Sequence, residues 1–366
     1  MDVLNLFELE QRARERLSAT TWAYYAGGAE DELTVTENRA AFQRIKLRPR
    51  VLVDCEARSL AVELLGRRLS LPLILAPTSH QILAHPDGEI ATARAAAAAG
   101  TLAVLGTGNH FSVEEVARAS DGAPFWFQLY CYEPFAVTAQ VVRRAKEAGA
   151  GALVLTVDAC YPPRRESLVR SGFRLTPEVR LGNLRGVGLR DDLLAADGGL
   201  TPAFLETLRL APLTWHDVAR LRDLTALPIL LKGVLTAEDA VLAAEHGIDG
   251  LIVSNHGARQ IDGTLAAIDA LPPIVDAVGG RLPLLVDGGV RRGTDIVKAL
   301  ALGAQAVLVG RPYLWGLALA GEEGVRLVIE QLREELDCAL AQLGRSDATT
   351  LGRDVVVARR CEHCGR

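Results

Sequence analysis

The chain has 366 residues, 49% of them hydrophobic and 23% charged, with a formal net charge of -5. That is apolar side chain enough for a large core in one α/β domain, and a mildly acidic balance without any basic run excludes nucleic acid as the main partner. Four of the six cysteines, Cys55, Cys131, Cys160 and Cys338, lie scattered in apolar or mixed contexts, which is reduced, cytoplasmic usage. No window approaches ~18 uninterrupted apolar residues, so no membrane partner is expected.

The chain opens on MDVLNLFELEQRARERL, a charged amphipathic helix without the apolar stretch of a signal peptide. Residues 1–70 read as a helical and loop region that covers the bottom or flank of the main fold. From residue 71 one pattern repeats: a short apolar run closed by a polar cluster, then a stretch of helical period ending in glycine. The runs are LPLILAP (71–77), TLAVLGT (101–107), PFWFQLY (124–130), ALVLTVD (152–158), PILLKG (228–233), GLIVSNH (250–256), LPLLVDGG (282–289) and AVLVGRP (306–312). Helices between them include SVEEVARAS, VTAQVVRRAKEAG, TAEDAVLAAEHG and GTDIVKALALG.

Eight aliphatic strands alternating with helices predict a closed (β/α)8 barrel over 71–345, with residues 346–366 as a tail and the whole chain as one domain. An open doubly wound sheet fits less well. Its first strand turn lacks G-x-G-x-x-G and reads APTSHQ instead. Residues 159–215 form a long excursion after strand four, expected to be a lid or binding segment, with a disordered insertion as the bland alternative.

Barrels carry their sites at the C-terminal strand ends, so those ends are read together. They gather Pro77, Thr78, Ser79, Thr107, Gln128, Tyr130, Thr156, Asp158, Lys232, Ser254, His256, Arg259, Asp287, Gly310 and Arg311. Lysine closing a buried strand needs a negative partner nearby. Strands seven and eight end in DGGVRRG and GRP, where paired glycines, Arg291, Arg311 and the positive end of the helix starting near Thr294 suit a phosphate. His256 with Asp158 makes a general-base pair in which the carboxylate fixes the tautomer and favours the protonated ring. Arg259 and Arg165 are candidate clamps for a substrate carboxylate.

Taken jointly, YYAGGAED (24–31), AHPDGE, FQLY, LTVD, LPILLKGVLTAEDA, IVSNHGARQID and VDGGVRRGTDIVKALALGA followed by VGRP resemble the FMN-dependent L-2-hydroxy acid oxidases and dehydrogenases, the glycolate, lactate and 4-hydroxymandelate oxidase type. The resemblance spans about residues 5–345. It implies oxidation of an L-2-hydroxy acid to the 2-oxo acid, with FMN as cofactor and dioxygen as acceptor giving hydrogen peroxide. His256 would be the base, paired with Asp158, and Arg259, Arg165, Tyr24 and Tyr130 would hold substrate. Lys232 would lie beside the flavin N1 and O2, with Pro77, Thr78, Ser79, Thr107, Gln128, Thr156 and Ser254 lining the ring. Asp287 would meet the ribityl chain, and Gly288, Gly289, Arg291, Gly310 and Arg311 the phosphate. A homotetramer is implied as well.

Departures bear on substrate. Gly108 stands where several members place a bulky aromatic, which predicts a roomier pocket for substrates larger than glycolate, and Ser79 stands where oxidases tend to carry alanine. Pro163 before the Arg164–Arg165 pair puts the placement of Arg165 in question. His80 and His110 read as surface residues near the mouth. The tail RRCEHCGR holds three local metal ligands where a structural zinc site takes four, so no metal is expected. Other readings remain: an FMN-dependent dehydrogenase or monooxygenase of the same family that uses another acceptor or decarboxylates the product, a different phosphate-binding barrel such as an isomerase or an aldolase using Lys232 as an amine, and a silent flavin-binding scaffold.

Overall fold

The computed structural model describes residues 3–175, 178–189, 191–194, 204, 208 and 210–358. The eight expected runs form eight parallel strands: β1 (Leu73–Leu75), β2 (Ala103–Gly106), β3 (Phe125–Leu129), β4 (Leu153–Thr156), β5 (Ile229–Val234), β6 (Gly250–Val253), β7 (Leu284–Val286) and β8 (Ala306–Val309). They close in sequence order, with β8 pairing β1. The fold is a (β/α)8 barrel.

Alternation along each strand divides two apolar layers. Ile74, Val104, Trp126, Val154, Leu230, Ile252, Leu285 and Leu308 pack together inside the barrel. Leu75, Leu105, Phe127, Leu155, Leu231, Val253, Val286 and Val309 belong to the cluster shared with the outer helices. Burying each such side chain contributes roughly 1.5–3 kcal/mol, which conformational entropy largely offsets. A hairpin, Val62–Leu64 with Arg67–Leu69, adds Val62, Leu64 and Leu69 to the inner cluster.

Inward positions two residues beyond that apolar layer are polar: Gln128 after Trp126, Thr156 after Val154, Lys232 after Leu230, Ser254 after Ile252 and Asp287 after Leu285. Two residues further stand Tyr130, Asp158 and His256. The strand period therefore stacks the site on the core.

Three helices precede the barrel: α1 (Leu6–Arg16), α2 (Ala19–Ala26) and α3 (Leu33–Arg44). The expectation that this region only covers the bottom or flank needs correction, because α2 and α3 reach the catalytic end. Tyr24 and Tyr25 line the main cavity, and Asn38 and Asn255 exchange amide hydrogen bonds of 3.0 and 2.8 Å.

The barrel helices are α4 (Gly88–Ala98), α5 (Val113–Ala119), α6 (Phe135–Glu147), α7 (Glu166–Arg170), α8 (Trp215–Leu224), α9 (Ala237–Glu245), α10 (Ala267–Val278), α11 (Gly293–Ala301) and α12 (Arg311–Leu343). Where described, the excursion after β4 is packed: Phe173 stacks on Tyr24 with ring centres 4.7 Å apart, and buried Asn183 donates to Gly106 O at 3.0 Å. Residues 195–203 of that excursion, and the Cys361–His363–Cys364 tail, lie outside the described residues.

Candidate active site

Ser254, Asn255 and His256 end β6 in a left-handed turn, with φ of 59° at His256, 63° at Gly257 and 63° at Ala258. A histidine in that region carries strain of about 1–3 kcal/mol, so its surroundings must hold it. They do: the Ser254 hydroxyl accepts from His256 N at 3.0 Å, and Asn255 Oδ1 accepts from Ala258 N at 3.1 Å. The amide in SNHGARQ is thus the clamp of the turn and of α3, a role its sequence position does not announce.

His256 Nδ1 lies 2.9 Å from Asp158 Oδ1. Burial lowers the ring's pKa below the ordinary histidine value, the Asp158 carboxylate opposes this, and the Lys232 and Arg259 charges reinforce it. The carboxylate favours the protonated ring as expected, but burial outweighs it and the net shift is downward. At neutral pH the ring is a neutral base with Nδ1–H donated to Asp158, the tautomer that leaves Nε2 as acceptor. For Asp158 itself burial acts upward, but His256 and Lys232 outweigh it and hold the carboxyl below its ordinary value.

One cavity is lined by His256, Tyr24, Tyr130, Arg165, Arg259, Lys232, Pro77, Thr78, Ser79, Gln128, Thr156, Asp287, Gly288, Gly289, Arg291, Gly310 and Arg311. Arg165 is therefore in place despite Pro163. Asp158, Thr107 and Ser254 stand behind the wall: Thr107 accepts from Tyr130 N at 3.1 Å and donates to Gln128 O at 2.7 Å, and Ser254 accepts from Lys232 Nζ at 3.0 Å. Thr107 and Ser254, expected to line the flavin, brace the cavity residues Tyr130, Gln128 and Lys232 through these bonds. The negative partner of Lys232 is Asp287, at 3.3 Å. With its Nζ engaged by Asp287 and Ser254 in this way, Lys232 is not placed as a free amine, which disfavours an aldolase role.

The guanidinium groups are held by backbone. Arg259 Nη1 donates to the carbonyls of Tyr24 and Gly27, each at 2.9 Å, and Arg311 donates to those of Tyr25, Gly257 and Gly27 at 3.0, 2.9 and 3.1 Å. Those of Tyr24, Tyr25 and Gly27 are the end carbonyls of α2, where cations are favoured. Burial without a facing carboxylate, together with Arg165, lowers Arg259 to about 10, and burial with Arg259 and Arg291 lowers Arg311 to about 9. Both stay cationic near neutral pH, so the cavity calls for anions.

The phosphate expectation needs one change. Asp295 accepts from the backbone N–H of Arg291 and Arg292 at 2.9 and 3.1 Å, and Glu335 accepts from Gly293 N at 2.8 Å, so the start of α11 is already capped. The helix start that faces the cavity is that of α12, through Gly310, Arg311, Pro312 and Leu314. His80 and His110 are buried, not surface residues. Sequence reading also missed Tyr25 in the cavity wall, and Tyr313, whose hydroxyl bonds to that of Thr78.

A barrel whose top layer joins a neutral histidine base to Arg165 and Arg259, which no carboxylate faces among the described residues, with Arg291 and Arg311 lining the same cavity, is an enzyme for an anionic substrate beside an anionic cofactor. The chain belongs to the FMN-dependent dehydrogenase family, which matches residues 13–358. It is 50% identical over 349 residues to L-lactate oxidase of a Nostoc species (94% of this chain, 95% of that one) and 47% identical over 358 residues to glycolate oxidase of Spinacia oleracea (98% and 96%). Among solved structures, a mandelate oxidase variant with (S)-mandelic acid superposes with a TM-score of 0.88 at 39% identity, covering 98% of both chains. A chimera of (S)-mandelate dehydrogenase does so with 0.91 at 39%, covering 98% of this chain and 100% of that one.

The residues present fit FMN, the family's cofactor. Asp287 Oδ1 is a buried oxygen without a protein partner among the described residues, Lys232 stands beside it, and Arg291 and Arg311 meet Gly289 and Gly310 at one end.

Proposed function

We propose that the protein oxidises an L-2-hydroxy acid to the 2-oxo acid, with dioxygen as final acceptor and hydrogen peroxide as product. The observation that carries this is the neutral His256 sharing one cavity with Arg165 and Arg259, two guanidiniums that no carboxylate faces among the described residues. Bound FMN supplies the two-electron acceptor. It would be held by Lys232, Gln128, Thr156 and Asp287, with its phosphate at Arg291, Arg311, Gly289 and Gly310.

Arg259 and Arg165 bind the substrate carboxylate, and the Tyr24 and Tyr130 phenols donate to carboxylate or hydroxyl. Burial raises both phenol pKa values, so they remain donors. His256 Nε2 takes a proton from substrate, and Asp158 stabilises the imidazolium that results. Excluding water from this pocket strengthens each contact.

The relatives named as oxidases support dioxygen as acceptor, and the likeness to mandelate oxidase supports a substrate larger than glycolate. A cytoplasmic homotetramer is the accompanying expectation, resting on family resemblance and cysteine usage, and sedimentation tests the assembly. Anaerobic mixing of the yellow holoenzyme with L-lactate, mandelate, glycolate and longer hydroxy acids, followed by air, tests the reading. Bleaching by the larger acids and stoichiometric peroxide are expected. A flavin that none of them reduces would end the proposal, and bleaching without peroxide would replace dioxygen by another acceptor.

A further inference from the structure

Gly108 follows β2, and its backbone is not in the left-handed region, so chain geometry alone does not require glycine there. Its surroundings do. A Cβ at this position lies 2.7 Å from Ser79 Oγ and 3.2 Å from Ser79 Cβ, and nothing else approaches within 4 Å. The space a side chain at 108 would fill is therefore occupied from the loop after β1. The expected roominess is partly taken up by serine.

Neither loop can retreat. On the Ser79 side, Gln81 Nε2 donates to Thr78 O at 3.3 Å, Tyr25 Oη donates to His80 O at 2.7 Å, and His80 N donates to Gly108 O at 3.4 Å. On the Gly108 side, Thr107 N donates to Gln128 O at 3.0 Å, and Asn109 N to Gly106 O at 3.2 Å. The fully buried Glu89 carboxylate joins the two loops, accepting from Gln81 N and from His110 N, both at 3.2 Å. With both backbones restrained, a larger residue at 108 requires the Ser79 hydroxyl to turn aside and its Cβ, 3.2 Å away, to give by a few tenths of an ångström. Ser79 lines the cavity, and among the described residues its hydroxyl has no hydrogen-bond partner.

We propose that Ser79 and Gly108 are one interlocked specificity element: Gly108 supplies the recess in which the Ser79 side chain sits, and that recess keeps the substrate end of the cavity open. The inference rests on the hydroxy acid reading for its substrate, while the interlock itself is a property of the fold.

Four proteins test it: the parent chain, Gly108→Ala, Ser79→Gly and the double variant. Overpacking a pinned site typically costs enough for about a tenfold effect. Gly108→Ala is expected to lower Tm and to cut kcat/KM for mandelate about tenfold more than for glycolate, and adding Ser79→Gly should recover most of both. Simple additivity of the two changes in Tm and in substrate ratio, or a Gly108→Ala protein indistinguishable from the parent, would overturn the interlock. If none of the four is reduced by any hydroxy acid, the functional reading fails, and the four Tm values still decide whether the residues are coupled.

Discussion

Asp158 Oδ1 and His256 Nδ1 stand 2.9 Å apart, yet the ring between that carboxylate and the cavity is neutral, because burial beside Lys232 and Arg259 outweighs one anion. The pair is thus set to take a proton and then to stabilise the cation formed. Replacing the base should lose what general-base catalysis supplies, ~10²–10⁴-fold. His256→Ala is expected to bind FMN and lose flavin reduction by that factor in stopped-flow. Near-normal reduction would refute the assignment.

The same balance sets the pH profile. With its pKa below the ordinary 6.5, His256 stays unprotonated at neutral pH, and activity is lost only as pH falls through that lowered value. The acid limb of kcat/KM should therefore lie below pH 6.5. A limb above it would mean that Asp158 dominates the ring.

Gly233, in the bulge between Lys232 and Val234, has φ of 111°, and a Cβ there would lie 2.5 Å from Asp158 Cγ. Gly233→Ala should displace Asp158 from His256 and strain the backbone. Turnover is expected to fall to about the level of Asp158→Asn, while flavin content holds. A variant with full activity would show that the close approach is dispensable.

Arg165 and Arg259 share the substrate end but differ in support. Arg259 also holds the carbonyls of Tyr24 and Gly27, whereas Arg165 donates only to Arg259 O, at 3.2 Å, among the described residues. Charge-assisted contacts are worth about 1.5–3 kcal/mol each, so both Met variants should raise KM at least tenfold. Only Arg259→Met is expected to lower Tm as well. Equal melting of the two variants would contradict the second role.

His80 and His110 are both held near a pKa of about 4, His80 by burial and then His110, His110 by burial and then Arg180. Unfolded histidine takes its proton near 6.5, so the unfolded state binds more protons between these values and stability falls as pH drops from 6.5 to 4. The loss is on the order of 3 kcal/mol for His80, and smaller for His110, whose partial contact with solvent screens its charge. Urea titrations at several pH values should show it, and His80→Gln should remove part of it.

Much of this site is legible along the chain because the two-residue period of a strand carries directly upward: Trp126, Gln128 and Tyr130, or Ile252, Ser254 and His256, are successive storeys of one wall. The need of Lys232 for a negative partner follows from its burial, and Asp287 meets it. Local reading stops where a group's partner is distant in sequence. The start of α11 looks available for phosphate until Glu335, 42 residues on, is seen to accept from Gly293 N, and Gly108 looks like empty space until Ser79 is seen in it.

The amino-acid order alone determined the barrel, its eight strands and the polar layer at their ends, because hydrophobic periodicity and strand-end position are local properties. Tertiary structure decided the protonation of His256, the joining of α2 to Arg259 and Arg311, and the filling of the recess at Gly108. Burial, electrostatic balance and steric exclusion depend on all neighbours at once, and those neighbours come from different strands and loops of the barrel and, for Arg259 and Arg311, from α2 near the start of the chain.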